Sequence, residues 1–165
     1  MALGCGGEEP AESTEHEHAV DEGAFQPLSN ARVTFENLED GATVSGPLVD
    51  GKVSVHVEMG VEGAEIKPAG ELEAGTGHHH IIVDGQGVAL GTPVPADDTH
   101  IHFGAGQTET DVMLAPGQHT LTLQLADGAH RSYGPDLTAR VSITVEEAAA
   151  EEAEGEGEDA VEAEE

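Results

Sequence analysis

The stretch His119-Thr-Leu-Thr-Leu-Gln-Leu125 decides how this chain folds. Its three leucines alternate with polar residues, so a β-strand would place all of them on one face. Strict alternation over about four to eight residues is typical of a half-buried strand, whereas a helix needs apolar residues three and four apart. The stretch therefore predicts a strand whose leucines face the core. His119 is in phase with them and is expected at the rim of that core.

The same alternation recurs along the chain. Val53–Met59 places four apolar residues on one face and His56 on the other. Further strands are predicted at Ala31–Glu36, His79–Asp84, His100–Phe103, Thr108–Leu114 and Leu137–Val145, with a short continuation at Val61–Lys67. Leu38–Gly41 is interpreted as a turn, and Asp40-Gly-Ala-Thr-Val44 as a turn after the first strand of the kind that is familiar in immunoglobulin-like domains. Seven or eight short strands, separated by Gly and Pro turns and without an amphipathic helix, predict an all-β, immunoglobulin-like β-sandwich.

Acidic segments of low complexity flank the predicted sandwich. Together they hold 18 of the 34 acidic residues and none of the five Lys and Arg. Such segments cannot bury enough apolar surface to offset the entropy lost on ordering. We therefore predict an N-terminal tether over residues 1–27, the sandwich domain over residues 28–145, and a disordered Ala/Glu-rich tail over residues 146–165.

The charge of the chain excludes some classes of partner. The formal net charge is −29, and the middle segment retains 16 acids against all five bases. Nucleic-acid binding depends on Lys and Arg that neutralise phosphates, so no nucleic-acid partner is expected. Electrostatic attachment to anionic lipid is disfavoured for the same reason. The charge is expected to promote solubility.

The only cysteine, Cys5, lies in Ala2-Leu-Gly-Cys-Gly-Gly7 ahead of a polar, acidic stretch. One cysteine excludes an intrachain disulfide. The stretch resembles the end of a bacterial lipoprotein signal, in which a lipidated cysteine becomes the mature N-terminus. Leu3 lies one place nearer the cysteine than in the usual pattern, and a chance Gly-Cys is the alternative. We expect a periplasmic or outer-membrane lipoprotein that meets the membrane only through Cys5.

Four motifs resemble those of a known family. They are Gly75-Thr-Gly-His-His-His-Ile-Ile-Val-Asp84, Pro95-Ala-Asp-Asp-Thr-His-Ile-His-Phe-Gly104, Gly106-Gln-Thr-Glu109 and Pro116-Gly-Gln-His-Thr-Leu121. In this order they resemble a bacterial family of domains of unknown function, number 4399, from about Ala31 to Val145. The resemblance implies a small β-sandwich in the cell envelope. It implies no activity.

Histidines cluster on two of the predicted strands. Ile101 and Phe103 are expected to face the core, so that His100 and His102 project together from the other face. By the same alternation, the outward-facing residues of the other strand are His78 and His80. If the two strands are neighbours, these four imidazoles form one patch, which predicts a metal site.

Imidazoles without thiolates suit zinc or Cu(II) better than Cu(I). His119 is a candidate fifth ligand, and His79 is expected on the core side, beside His119. Glu109 and Asp84 are candidates to orient imidazoles from behind. His130 lies in a predicted loop from which it could reach any of these residues.

Three classes of function remain open. The first is a module that binds a copper or zinc ion in order to store, deliver or buffer it. The second is a non-catalytic interaction module with structural histidines. The third is a metal-dependent enzyme, which needs an open coordination position and an acid–base group such as Glu109. No nucleophile elbow, phosphate-binding loop or dinucleotide fingerprint is present in the sequence, so an enzyme is the less favoured class.

Overall fold

Alternating apolar residues produce nine strands in the computed structural model, which describes residues 25–148. The strands are β1 Arg32–Phe35, β2 Ala42–Gly46, β3 Val53–Glu62, β4 Glu65–Ile66, β5 Thr76–Val83, β6 His100–His102, β7 Glu109–Leu114, β8 Gly117–Ala126 and β9 Thr138–Glu147. One turn of 3-10 helix, Pro135–Leu137, leads into β9. No helix in the described part of the chain is long and apolar enough to cross a membrane.

The strands form two sheets, which confirms the predicted all-β sandwich. One sheet has the order β1-β3-β7. The other has the order β2-β9-β8-β5-β4, with β6 also paired to β5. The turn predicted at Leu38–Gly41 is present at Asp40 and Gly41. Its extension to Val44 was wrong, because β2 begins at Ala42 and pairs in parallel with β9. Its backbone partners lie about a hundred residues away in sequence, so no local pattern reveals it.

The core lies between the sheets and is made of the residues that alternation places inward. Val53, Val55, Val57 and Met59 of β3 are buried in one cluster with Leu121, Leu123 and Leu125 of β8. Val141, Ile143 and Val145 of β9 complete this part of the cluster. Buried side chains that interdigitate from two inner faces are the usual source of stability in a sandwich.

Strand β5 is buried on both faces, which differs from the predicted exposed outer face. Ile81 belongs to the core between the sheets. His78, His80 and Ile82 lie on the opposite face and are buried as well. The loop of residues 85–99 is attached beside this face, where Val88 N donates a 3.0 Å hydrogen bond to the side chain of Gln124. The rings of His102 and His130 lie against those of His78 and His80.

We predict that Leu123→Ala lowers the free energy of unfolding by about 2–5 kcal/mol, because it leaves a cavity in a closely packed core. Leu123 is completely buried between the sheets. The control is Met113→Ala, at an exposed position of β7, which should change the stability by less than about 1 kcal/mol. Urea denaturation measures both values. Equal losses in the two variants would contradict the assigned core.

Candidate metal centre

The pairing of β5 with β6 brings three histidines to one place. The strands are antiparallel, and His80 lies directly opposite His102. His78 precedes His80 by two residues and therefore shares its face. The three ring centroids are 4.8–5.0 Å from one another. The predicted neighbourhood of these two strands is confirmed.

A fourth imidazole comes from the loop that follows β8. Strand β8 ends at Ala126, which lies opposite His78 in the sheet. The chain then turns back, and the His130 ring lies 5.0 Å from the His78 ring and 4.7 Å from the His102 ring. We call His78, His80, His102 and His130 the histidine cluster.

The ring nitrogens of the histidine cluster lie close enough together to hold one metal ion. His78 Nε2 lies 3.0 Å from His80 Nε2 and 3.1 Å from His130 Nδ1. One nitrogen from each ring falls within 4.8 Å of all the others. Metal–nitrogen bonds of about 2.0–2.1 Å separate neighbouring ligand atoms by about 2.9 Å in a square plane and about 3.3 Å in a tetrahedron. Four histidines that could hold a metal ion are thus close together.

Burial favours the neutral form of the His78, His80 and His102 imidazoles by lowering their pKa values. It lowers the pKa of His78 to about 4 and that of His80 to about 3, and repulsion from neighbouring imidazoles adds to the effect. The pKa of His102 is also lowered, by partial burial and then by His130. A neutral imidazole has a free nitrogen lone pair, which is the form that binds a metal.

Two further nitrogens of the cluster are buried without hydrogen-bond partners among the described residues. They are Nδ1 of His78 and Nδ1 of His80. A buried polar group without a partner costs about 1–3 kcal/mol, so the cluster is not arranged for maximal stability. The N–H of a metal-bound histidine commonly donates to a carboxylate or carbonyl, and here the structure supplies no such acceptor for these two rings.

His100 shares a face with His102 but does not belong to the histidine cluster. It lies opposite Ile82, two pairs further along the ladder than His80. Its Nδ1 lies 2.7 Å from the carboxylate of Asp97, which also accepts from the backbone N of His100. These bonds, first of all that of the His100 ring, lower the pKa of Asp97. The turn before β6 therefore holds the ring, which local alternation could not show.

His119 lies at the other end of β8 and is also outside the cluster. Its Nδ1 is 2.9 Å from Asp84 and its Nε2 is 2.9 Å from the carbonyl oxygen of Ala115. Asp84 thus holds an imidazole, but not one of the cluster. Glu109 lies on β7 in the other sheet, opposite Glu58.

His79 faces the core side, as alternation predicts, but it does not lie beside His119. It is opposite Leu125, six residues along β8 from His119, which is roughly 20 Å in a strand. Neither of its ring nitrogens has a hydrogen-bond partner in the described part of the chain. Burial lowers the pKa of His79 to about 4.

The sequence indicates His130 only as one of several alternative ligands. The residues Asp127-Gly-Ala-His130 identify a turn, but not the strand beside which that turn lies. The pairing of β5 with β8 places this turn beside His78, and these two strands are far apart in the sequence. Cys5 lies outside the described residues, so its predicted lipidation stays a prediction.

The chain matches the model of a known family. This family is described as "Domain of unknown function (DUF4399)", and its model matches residues 57–146. This span contains all four residues of the histidine cluster. No curated protein and no solved structure shows significant similarity to the chain.

We predict that the metal-free domain loses stability as the pH falls from about 6.5 to about 4, partly through His79. The pKa of His79 is about 4 in the folded protein and about 6.5 in the unfolded chain. The unfolded chain therefore binds more protons in this window, so stability rises with pH there and is unaffected by His79 above it.

Urea midpoints at pH 7.5 and pH 4.5 test this expectation. His79→Leu should lose less stability between the two pH values than the unmodified protein does. His56→Gln is the control. His56 is exposed, and a hydrogen bond to Asp111 raises its pKa, so its effect on stability has the opposite sign. This variant should therefore lose no less stability between the two pH values than the unmodified protein does. A loss in His79→Leu that equals that of the unmodified protein would show that His79 does not contribute.

Proposed function

The chain belongs to the DUF4399 family of domains of unknown function, and we propose that it binds one zinc or copper ion through the histidine cluster. The convergence of one nitrogen from each of His78, His80, His102 and His130 within 4.8 Å carries this proposal. Three of the four ligands stand on paired strands of one sheet. Such a site is largely formed before the ion arrives, which reduces the entropy lost on binding.

The chemistry of the donors favours Zn(II) or Cu(II). Four imidazoles without a thiolate or thioether suit these ions, whereas Mg²⁺ and Ca²⁺ prefer oxygen ligands. The 3.0–3.1 Å separations lie between those of a square plane and those of a tetrahedron. Cu(II) prefers the first geometry and Zn(II) the second, so these two separations suit either ion. The other nitrogens of the cluster, which lie within 4.8 Å of one another, would move closer together on binding.

The position of the cluster suits exchange of the ion with solvent or with a partner. His78 and His80 form a buried floor, while His102 is exposed and His130 is half-buried. The pKa values of His78 and His80 are low, so protons do not compete with a metal ion for these two rings until the pH is well below neutral. We propose that the domain stores, buffers or delivers its metal, and that it does so in the bacterial envelope, tethered through Cys5.

One observation supports a second candidate function, a non-catalytic interaction module with structural histidines. The same 3.0 and 3.1 Å separations also fit hydrogen bonds between neutral imidazoles. In that case His78 would join β5 to the loop after β8 without any ion. The two functions differ in the effect of removing His130, because a structural network would lose stability and a metal site would lose affinity.

We predict that the purified protein binds one Zn(II) or Cu(II) per chain and that His102→Ala lowers the affinity at least about tenfold, since it removes a ligand. Isothermal titration calorimetry measures both. His119→Ala is the matched control, because His119 is bonded to Asp84 away from the cluster and should leave the affinity unchanged. No binding by the unmodified protein, or unchanged affinity in His102→Ala, would contradict metal binding at the cluster.

We further predict that Gly104→Ala weakens metal binding by displacing the His102 ring. A Cβ at Gly104 would overlap Cε1 of that ring and lie 2.6 Å from its Nε2. Gly104 does not have a positive φ, so alanine causes no backbone strain there. The ring is exposed, so the fold should tolerate its displacement.

A double-mutant cycle provides the control for this prediction. Gly104→Ala should lower the affinity of the unmodified protein, but it should have no further effect once His102 is already alanine. The same loss in both backgrounds would mean that Gly104 does not act through His102.

A further inference from the structure

We infer that Asp127 is the positioning residue of the metal centre, because its carboxylate folds the loop that presents His130 as the fourth ligand. Asp127 is not itself a ligand in this account. The inference rests on the proposed function, since it concerns how the same site reaches four ligands instead of three. It concerns the only ligand of the cluster that does not lie on a strand.

Asp127 is a buried acid whose carboxylate is directed into its own loop. It is 5 % exposed. Its Oδ1 accepts hydrogen bonds from the backbone N of Ala129 at 2.9 Å and of Arg131 at 2.8 Å. Its Oδ2 accepts one from Arg131 Nε at 2.7 Å. One carboxylate therefore binds the backbone on both sides of His130.

These bonds hold His130 in a conformation that histidine rarely adopts. His130 has a φ of 64°, in the left-handed region. That region costs a residue with a Cβ about 1–2 kcal/mol, so the surroundings must stabilise it. The backbone N of His130 donates to the carbonyl oxygen of Asp127 at 2.9 Å, and its own carbonyl oxygen accepts from Val94 N at 2.9 Å.

The direction of the His130 ring follows from this backbone conformation. An extended residue at position 130 would carry the chain onward from β8 and would point its side chain elsewhere. The left-handed residue instead reverses the chain, and the ring comes to lie 4.7 Å from His102 and 5.0 Å from His78. Without the Asp127 carboxylate, the two backbone N–H groups beside His130 would lose their acceptor, and the loop would sample other conformations.

The conservative variant separates the shape of the loop from its charge. In Asp127→Asn, the amide oxygen can still accept from the backbone N of Ala129 and of Arg131. The negative charge is gone, and so is the bond from Arg131 Nε, because the amide nitrogen that replaces Oδ2 is a donor. Asp127→Ala removes both. If Asp127 acts by positioning, then Asp127→Asn should bind Zn(II) nearly as tightly as the unmodified protein. Asp127→Ala should bind it about 10–100-fold more weakly, as is typical when the support of a ligand is lost.

A double-mutant cycle that combines Asp127→Ala with His130→Ala shows whether Asp127 affects Zn(II) affinity through His130. Zn(II) titrations should show that Asp127→Ala lowers the affinity of the unmodified protein but not that of His130→Ala. Electron paramagnetic resonance of the Cu(II)-loaded full chain should detect four coordinated imidazoles in the unmodified protein, and three in both Asp127→Ala and His130→Ala. Urea denaturation shows whether each variant is folded.

Three outcomes would overturn the inference. They are an unchanged affinity in Asp127→Ala, an equal loss in the His130→Ala background, and a loss in Asp127→Asn as large as that in Asp127→Ala. In each of these cases the unmodified protein still binds the metal, so the proposed function stands. If the unmodified protein binds neither Zn(II) nor Cu(II), the proposed function itself fails.

Discussion

The register of β5 between β6 and β8 is the constraint on which the rest of the structure depends. On one face it packs Ile81 against Leu123 in the core. On the other face it places His80 beside His102. Because side chains alternate along a strand, a slip of one residue would exchange the two faces, moving imidazoles into the apolar core and isoleucine into the cluster. The core and the candidate site are therefore specified by the same hydrogen-bonded ladder.

This arrangement has an electrostatic cost that stability alone does not explain. Imidazoles are crowded where burial lowers the pKa of His80 to about 3, and ring nitrogens of His78, His79 and His80 are left without partners among the described residues. An apolar strand at this position would avoid that cost. Local arrangements that oppose stability are typical of functional sites. An ion bound to the converging nitrogens of the cluster would leave these Nδ1 atoms as they are, but its bonds would offset the cost of burying the imidazoles by stabilising the folded state.

Local pattern alone predicted much of the fold, because alternation identifies which residues of a strand share a face. The core positions of β3, β8 and β9 followed from it, and so did the shared face of His78 and His80. The parts that were missed depend on distant partners. Strand β2 forms by pairing in parallel with β9, which is distant in the sequence. His130 joins the cluster because β8 ends beside His78, and His100 stays outside because Asp97 binds its ring. Alternation cannot show any of these three contacts.

Whether one ion binds to the four imidazoles can be seen in a crystal structure of the zinc- or copper-loaded protein, through the anomalous scattering of the metal. We expect one strong anomalous peak, at about 2.0–2.1 Å from one ring nitrogen each of His78, His80, His102 and His130. A peak at His100, at His119 or at surface carboxylates, with the cluster empty, would contradict it.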